Sequence, residues 1–436
     1  MKRMQNTGWA TSSALLARGR WVLAAAAAGL LLAACNTDRL LNVNAVDRVD
    51  ATLFDNPAQA TLMVNSAVAD FECAYASYAL VEGLIADEFA DAQLGAASWP
   101  YDRRDANTQP GGDYGFEPCT GSQRLGLYLP LSTSRFDADQ AVTKLTAWTD
   151  AQVGPNRVKL LATAALYAGF SYAALGMSMC EAAFDLQPQV NQQAIFALAE
   201  NRFTAAITEG GNAGQTAIVN AAYVGRARVR LFMNKLPEAA ADAALVPAGF
   251  EFDATYDGNN SRRYNRVYSA TGQFGLYTVE ASSRDLRTEG VADPRAAVKA
   301  YPNVRPADAV SAIYAPAKYS AYGSSIRLAS YDEAQLIAAE ALGGSQAVNI
   351  VNALRDAVSL PHYTGATDAA SIKQLIIDER QRALFAEGYR NYDIQRFNLP
   401  LVPAPGTAYP IKGGTYGNTT CLPLPDLERF NNPNVT

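Results

Sequence analysis

A chain of 436 residues, 49% hydrophobic and 18% charged, has globular composition and ample length for a large core. Its formal charge is −6 and no block of basic residues stands out, which argues against a nucleic-acid partner. A single histidine, His362, and the lack of a G-x-S-x-G elbow, an H-E-x-x-H pair or a phosphate loop leave hydrolytic triads, zinc peptidases and nucleotide enzymes without their parts.

The N-terminus reads as an export signal. Lys2, Arg3, Arg18 and Arg20 precede an apolar run, Trp21–Ala34, that is shorter than the roughly 20 residues needed to span a bilayer. Leu32-Ala33-Ala34-Cys35 resembles a lipobox, so residues 1–34 are expected to be removed and Cys35 to carry the lipid. Several acyl chains would hold the protein at a membrane where one would be marginal. Residues 35–50 then form a lipidated tether, and residues 51–436 one domain. The remaining cysteines, Cys73, Cys119, Cys180 and Cys421, permit two disulfides in an exported chain, in any of three pairings. No Cys/His cluster suggests zinc, and no cofactor or metal is expected.

Helices are expected over about 57–94, 137–246 and 328–397, with extended chain over 398–436. The run 57–94 has few breakers before Gly83 and ends near the acidic pair Asp87 and Glu88. Residues 95–130 change character to an irregular stretch holding Trp99, Tyr101, Asp102, Arg103, Tyr114 and Phe116. Long loops of this kind are often functional, and aromatic faces beside polar groups suit a sugar. In 137–246, Ala162, Ala165, Gly169, Ala173 and Gly176 make a small-residue stripe for close helix approach. Ile195, Leu198, Phe203 and Ile207 make the apolar side of the next helix. Residues 221–246 resemble a tetratricopeptide unit through Ala227, Asn234, Pro237, Ala239 and Ala243. Such pairs stack into a superhelix.

A second irregular region, 249–325, is rich in Tyr, Gly, Asn and Arg, including Tyr264 and Tyr268, and holds short strands such as one in GLYTVEA. Asp253 and Asp257-Gly258-Asn259 form an incomplete calcium-loop pattern without the closing Glu, so calcium is possible but not expected. In 371–397 the apolar residues Ile372, Leu375, Ile376, Ala383 and Leu384 place Glu379 on or beside a buried helix face, where a carboxylate needs partners. Arg380, Arg382, Arg390 and Arg396 are the candidates, Glu387–Arg390 is a candidate i,i+3 pair, and Gly388 should break the helix.

Glu379, Arg380, Leu384, Glu387, Gly388, Arg390, Asp393, Arg396 and Phe397 read as ER-x-x-x-L-x-x-E-G-x-R-x-x-D-x-x-R-F. This resembles the C-terminal signature of SusD/RagB-type nutrient-binding lipoproteins. Glu333, Glu340, Asn352, Leu354 and Arg355 fall at matching places. So do Pro423, Pro425, Glu428, Asn432, Pro433 and Asn434 near the end. The resemblance implies a mainly α fold: a tetratricopeptide-like right-handed helical superhelix with irregular loop-rich insertions and few short strands. It also implies an outer-membrane location, an oligosaccharide or other nutrient ligand, and a SusC-like TonB-dependent transporter as partner, with no catalysis in this chain. Trp99, Tyr101, Asp102, Arg103, Tyr264 and Tyr268 are the expected ligand contacts. Glu379, Arg380, Glu387, Arg390 and Arg396 are expected to be a structural ion-pair network. Two other classes remain open on the sequence. An exported all-helical glycoside hydrolase would need two opposed carboxylates. An envelope scaffold would bind protein partners.

Overall fold

The computed structural model describes residues 55–94, 99–105, 119 and 125–435. The signal segment 1–34, Cys35, the tether 35–50 and the loop residues Tyr114 and Phe116 lie outside the described residues.

Among the described residues, ten longer helices carry the architecture: α1 Ala60–Ile85, α2 Tyr128–Ala147, α3 Arg157–Ser178, α4 Gln192–Asn212, α5 Thr216–Phe232, α6 Leu236–Ala243, α7 Tyr331–Leu342, α8 Gly344–Asp356, α9 Ala369–Ala383 and α10 Arg390–Phe397. Each packs chiefly on its neighbours in sequence, from α1 on α2 through to α7 on α8 and α9, as stacked helical hairpins do. The last helix, α10, returns to pack on α1 and α3. The chain is mainly α, as the sequence predicts.

The small-residue stripe of α3 does what its spacing promises. A Cβ on Gly169 would sit 2.7 Å from the Phe203 ring, one on Gly176 2.5 Å from Phe196, and one on Gly225 of α5 2.4 Å from Phe203. Phe203 of α4 is thus wedged between α3 and α5, where only glycine leaves room. The length and apolar character of α3 would suit a membrane span, but 94% of its apolar window is buried, as in a core helix. The buried stripe of α4 differs from the expected one. It runs Ile195, Phe196, Ala199, Phe203, Ala206 and Gly210, while Leu198 is exposed. Small residues continue the 3.6-residue period there, so the larger Leu198 falls outside it.

Other boundaries move too. Helix α1 ends at Ile85, and Phe89–Asp91 is a strand, β1. Gly83 stays helical, and Phe89 folds back over it, 2.4 Å from where a Cβ would stand. Helix α2 begins at Tyr128, inside the stretch expected to be irregular. The insertion between α6 and α7 contains β2 Glu251–Ala254, β3 Tyr277–Val279, β4 Val298–Ala300, β5 Tyr314–Pro316 and, leading into α7, β6 Ile326–Ser330. Strand β3 lies in the predicted GLYTVEA segment and pairs antiparallel with β1. β2 pairs with β6 and β4 with β5, and every sheet among the described residues has two strands.

The disulfides are Cys73–Cys119 and Cys180–Cys421. The second pins the C-terminal tail beside the end of α3, where Cys180 N–H donates to Leu422 and Leu422 N–H to Ser178. The tail is extended only in part, since Asp426–Asn431 is a further helix.

Candidate functional site

The signature residues form a frame. Glu379 is fully buried and bound by Arg355 at 2.8 Å and Arg295 at 2.9 Å. Arg380 binds Asp393 at 2.8 Å, and Arg396 binds Asp393 at 2.8 Å as well as Glu340. Glu333 holds Arg228 at 2.6 Å. The i,i+3 pair expected between Glu387 and Arg390 does not form. Glu387 takes Lys318 at 2.7 Å, and Arg390 takes Asp87 at 2.8 Å. The reason is Gly388, whose φ of +89° turns the chain between them. A Cβ there would lie 2.4 Å from the Tyr78 ring. Glu379 likewise chooses arginines from other segments over its neighbour Arg380. These are links between distant parts of the chain. They leave Asp87 neutralised and Glu88 buried under the Ala386 N–H, so that acidic pair faces no cleft. His362 is an exposed loop residue with Asp356 as its partner at 2.7 Å.

The expected ligand contacts divide into two places. Trp99–Asp102 is one short helical turn. The side chain of Trp99 lies outside the described residues. Tyr101 is fully buried and Asp102 nearly so, which corrects their assignment as ligand contacts. Asp102 accepts from the Asp91 N–H at 2.9 Å and from the Tyr409 hydroxyl at 2.7 Å. Arg103 lies over the Tyr409 ring at 5.3 Å, and its carbonyl accepts from the Gly417 N–H at 2.6 Å. The tail residues 409–417 thus cover this turn, which sequence spacing alone could not reveal. Asp253, half of the incomplete calcium pattern, is held by Arg327 at 2.6 Å.

Tyr264 and Tyr268 do come together, through a third ring. Tyr264 stacks on Tyr322 with centroids 4.0 Å apart and planes at 23°. Tyr268 meets Tyr322 edge-on at 5.5 Å. All three are half-buried, so part of each side chain is at the exterior. Tyr301 adjoins Tyr268, and Lys299 lies 5.1 Å from its ring centre. Burial first, then the neighbouring phenols, push the Tyr322 hydroxyl above its ordinary pKa, so it stays a neutral donor and acceptor.

Asn265 builds this platform from beneath. It is fully buried, and its Nδ2 donates to the Ser324 carbonyl at 2.7 Å. Its Oδ1 accepts from the Tyr268 N–H at 3.0 Å, capping the turn that carries Tyr268. Its own N–H donates to the Tyr322 carbonyl at 2.8 Å. One residue therefore fixes both loops that supply rings. Upstream, Glu72 of α1 binds Arg263 at 3.1 Å and accepts from Thr255, and Arg262 pairs with Asp70. The platform rests on the helical body through these contacts. Sequence reasoning passed over Tyr322, Tyr301 and Asn265 as site residues. The available signal was local: Tyr322 precedes Gly323-Ser324, and Asn265 stands one residue after a tyrosine, before a short helical turn.

Partly exposed tyrosine rings suit a ligand that offers C–H faces and hydroxyl groups together. The SusD family profile matches residues 199–421, just over half of the chain. Several solved structures share the fold. A SusD-like carbohydrate binding protein from Bacteroides vulgatus has a TM-score of 0.61 at 15% identity, covering 87% of this chain and 97% of that one. A laminarin binding SusD-like protein has a TM-score of 0.62 at 15% identity, covering 87% and 98%. A surface glycan-binding protein A from Bacteroides uniformis has a TM-score of 0.61 at 15% identity, covering 86% and 98%. At such identity these likenesses show the fold alone. No curated protein sequence matches the chain significantly.

Proposed function

This chain belongs to the SusD family, and from that premise we propose that it is a surface-exposed lipoprotein that binds oligosaccharides without transforming them and passes them to a SusC-like TonB-dependent transporter. The observation that carries the reading is the tyrosine platform of Tyr264, Tyr268 and Tyr322. Sugar rings stack on such faces through their C–H groups while phenol hydroxyls exchange hydrogen bonds with theirs. A SusD-like protein of the same fold is named for binding laminarin, which makes a glycan a sensible first ligand to test here. Cys35 is the proposed lipid anchor, with the outer membrane as the location. Tyr101 and Asp102 leave the ligand set, and Tyr322 and Tyr301 enter it.

The test is glycan binding measured by calorimetry or affinity electrophoresis across a polysaccharide panel, with reducing-end release assayed in parallel. Tyr264→Ala and Tyr322→Ala should each weaken binding about tenfold, near 1.4 kcal/mol, with melting little changed. Wild-type affinity in both variants would remove the platform from the reading. Sustained release of reducing ends would favour a hydrolase instead. On the anchor, Cys35→Ser should abolish palmitate labelling, and unchanged labelling would refute lipidation there.

A further inference from the structure

The three segments that carry the tyrosine platform are free of acid. Residues 258–279, 294–307 and 309–331 contain no Asp or Glu, in a chain whose formal charge is −6. They supply Tyr264 with Tyr268, then Tyr301, then Tyr322. The rings form a row: Tyr264 stacks on Tyr322, Tyr322 meets Tyr268 edge-on, and Tyr301 adjoins Tyr268. Tyr301 lies against the turn that follows Tyr268, since a Cβ on Gly272 would stand 2.9 Å from its ring. Lys299 of β4 closes the row, 5.1 Å from the Tyr301 ring centre.

Most cations of these segments serve the fold. Arg262 and Arg263 pair with Asp70 and Glu72, and Arg295, Lys318 and Arg327 are likewise held by acids. Arg266 is buried. Lys299 and Arg305 differ. Both are exposed, and neither has an acidic partner among the described residues. Arg305 shares a loop with Tyr301, where the Val304 N–H donates to the Tyr301 carbonyl at 3.1 Å. Asp257, the acid just before the first segment, is taken up by the N–H and side chain of Asn259. An exposed cation–π contact is weak, so the fold gains little from Lys299.

We infer that the platform selects an anionic glycan, one whose sugars carry carboxylate or sulfate groups, with Lys299 and Arg305 reading the charge. This rests on the glycan-binding reading above and names the class of glycan. The row of rings stacks with sugar C–H faces, and the cations at its end meet a charged substituent on the same chain. No acid stands among the rings to compete for them. The local field therefore attracts anions to a protein whose net charge repels them. Uronates and sulfate esters both supply an oxyanion on a sugar ring, and such an oxyanion forms the stronger, charge-assisted hydrogen bonds with Lys and Arg.

The experiment measures binding of laminarin, polygalacturonate and dextran sulfate to the mature protein by calorimetry, at low and high salt. At least one anionic polymer should bind at least tenfold more tightly than laminarin at low salt, and the advantage should shrink at high salt. Which polymer gains it tells carboxylate from sulfate. Lys299→Gln and Arg305→Gln should each reduce the advantage about threefold, and Lys299→Arg should keep it. Lys159→Gln removes the same charge from an exposed position on α3, outside the platform, and should leave the advantage whole. Laminarin binding as tightly as both anionic polymers would overturn the inference and leave glycan binding standing. Equal losses in Lys159→Gln and Lys299→Gln would also overturn it. So would tighter binding of single-stranded oligothymidine, whose bases stack on rings of the same kind. Binding of no glycan at all would remove the glycan reading itself, and this inference with it.

Discussion

The arginine-rich frame around α9 and α10 and the tyrosine surface at 264–322 handle polar groups in opposite ways. In the frame, charges that would be ruinous alone are buried against partners from distant segments: Glu379 with Arg355 and Arg295, Glu333 with Arg228, Asp393 with Arg380 and Arg396. On the surface, phenols are stacked on each other and stay partly exposed. The frame spends its chemistry on itself, whereas the platform keeps its own available. A recognisable sequence signature and a binding surface are therefore different regions, and the first locates the fold without locating the ligand.

Substitutions can break that contrast. The largest effect should come from the frame. Arg228→Ala leaves Glu333 buried with only weak hydroxyl company from Tyr389 at 3.4 Å. Removing one partner of a buried pair costs about 3–5 kcal/mol, so denaturant midpoints should fall steeply while any folded protein keeps its glycan affinity. A loss below about 1 kcal/mol would mean that the frame is not what holds these helices.

Asn265→Ala tests the junction between the two regions. It removes the bonds to Ser324 and Tyr268 and should cost about 1–3 kcal/mol. It should also weaken glycan binding several-fold, although Asn265 itself is too deep to touch ligand. Asn265→Asp, which retains the Oδ1 acceptor, should recover part of the affinity. If stability falls and affinity does not, Asn265 supports the fold without positioning the rings.

The frame was legible because its residues stand in a fixed spacing over one short stretch. Glu379, Arg380, Glu387, Gly388, Arg390 and Arg396 could be read as a buried ionic group before any pairing was known. The pairings were not legible. Arg295, Lys318 and Asp87 come from segments up to hundreds of residues away, and a neighbour in sequence is a poor guide to a neighbour in a folded core. The small-residue stripe of α3 was readable because glycine at one helix face has few other uses. The platform was half-legible: Tyr264 and Tyr268 were visible, but Tyr322 joins them only through the loop that Asn265 fastens. Tyr101 misled because an aromatic in an irregular stretch looks the same whether it faces solvent or lies under a tail more than 300 residues later.

The last effect is a slope of stability against pH. Burial pushes both Glu82 and Glu88 up to about 8, against about 4.3 for a free glutamate. Each has one oxygen without a partner, as a protonated carboxyl allows. Between those pH values the folded state keeps protons that the unfolded chain has released. Their contribution is thus fully present below about pH 4 and is lost as pH rises through about 8, at no more than about 1.4 kcal/mol per pH unit for each group. Asp393 opposes this at the acid end, since Arg380 and Arg396 hold its carboxyl below the usual range and its contribution disappears on acidification. Stability should therefore fall from pH 5 to 8, and Glu88→Gln, which cannot ionise, should flatten that slope. An identical slope in the variant would mean that Glu88 is charged in the folded protein. The frame would then contain an unmatched anion, and the contrast with the platform would fail at that residue.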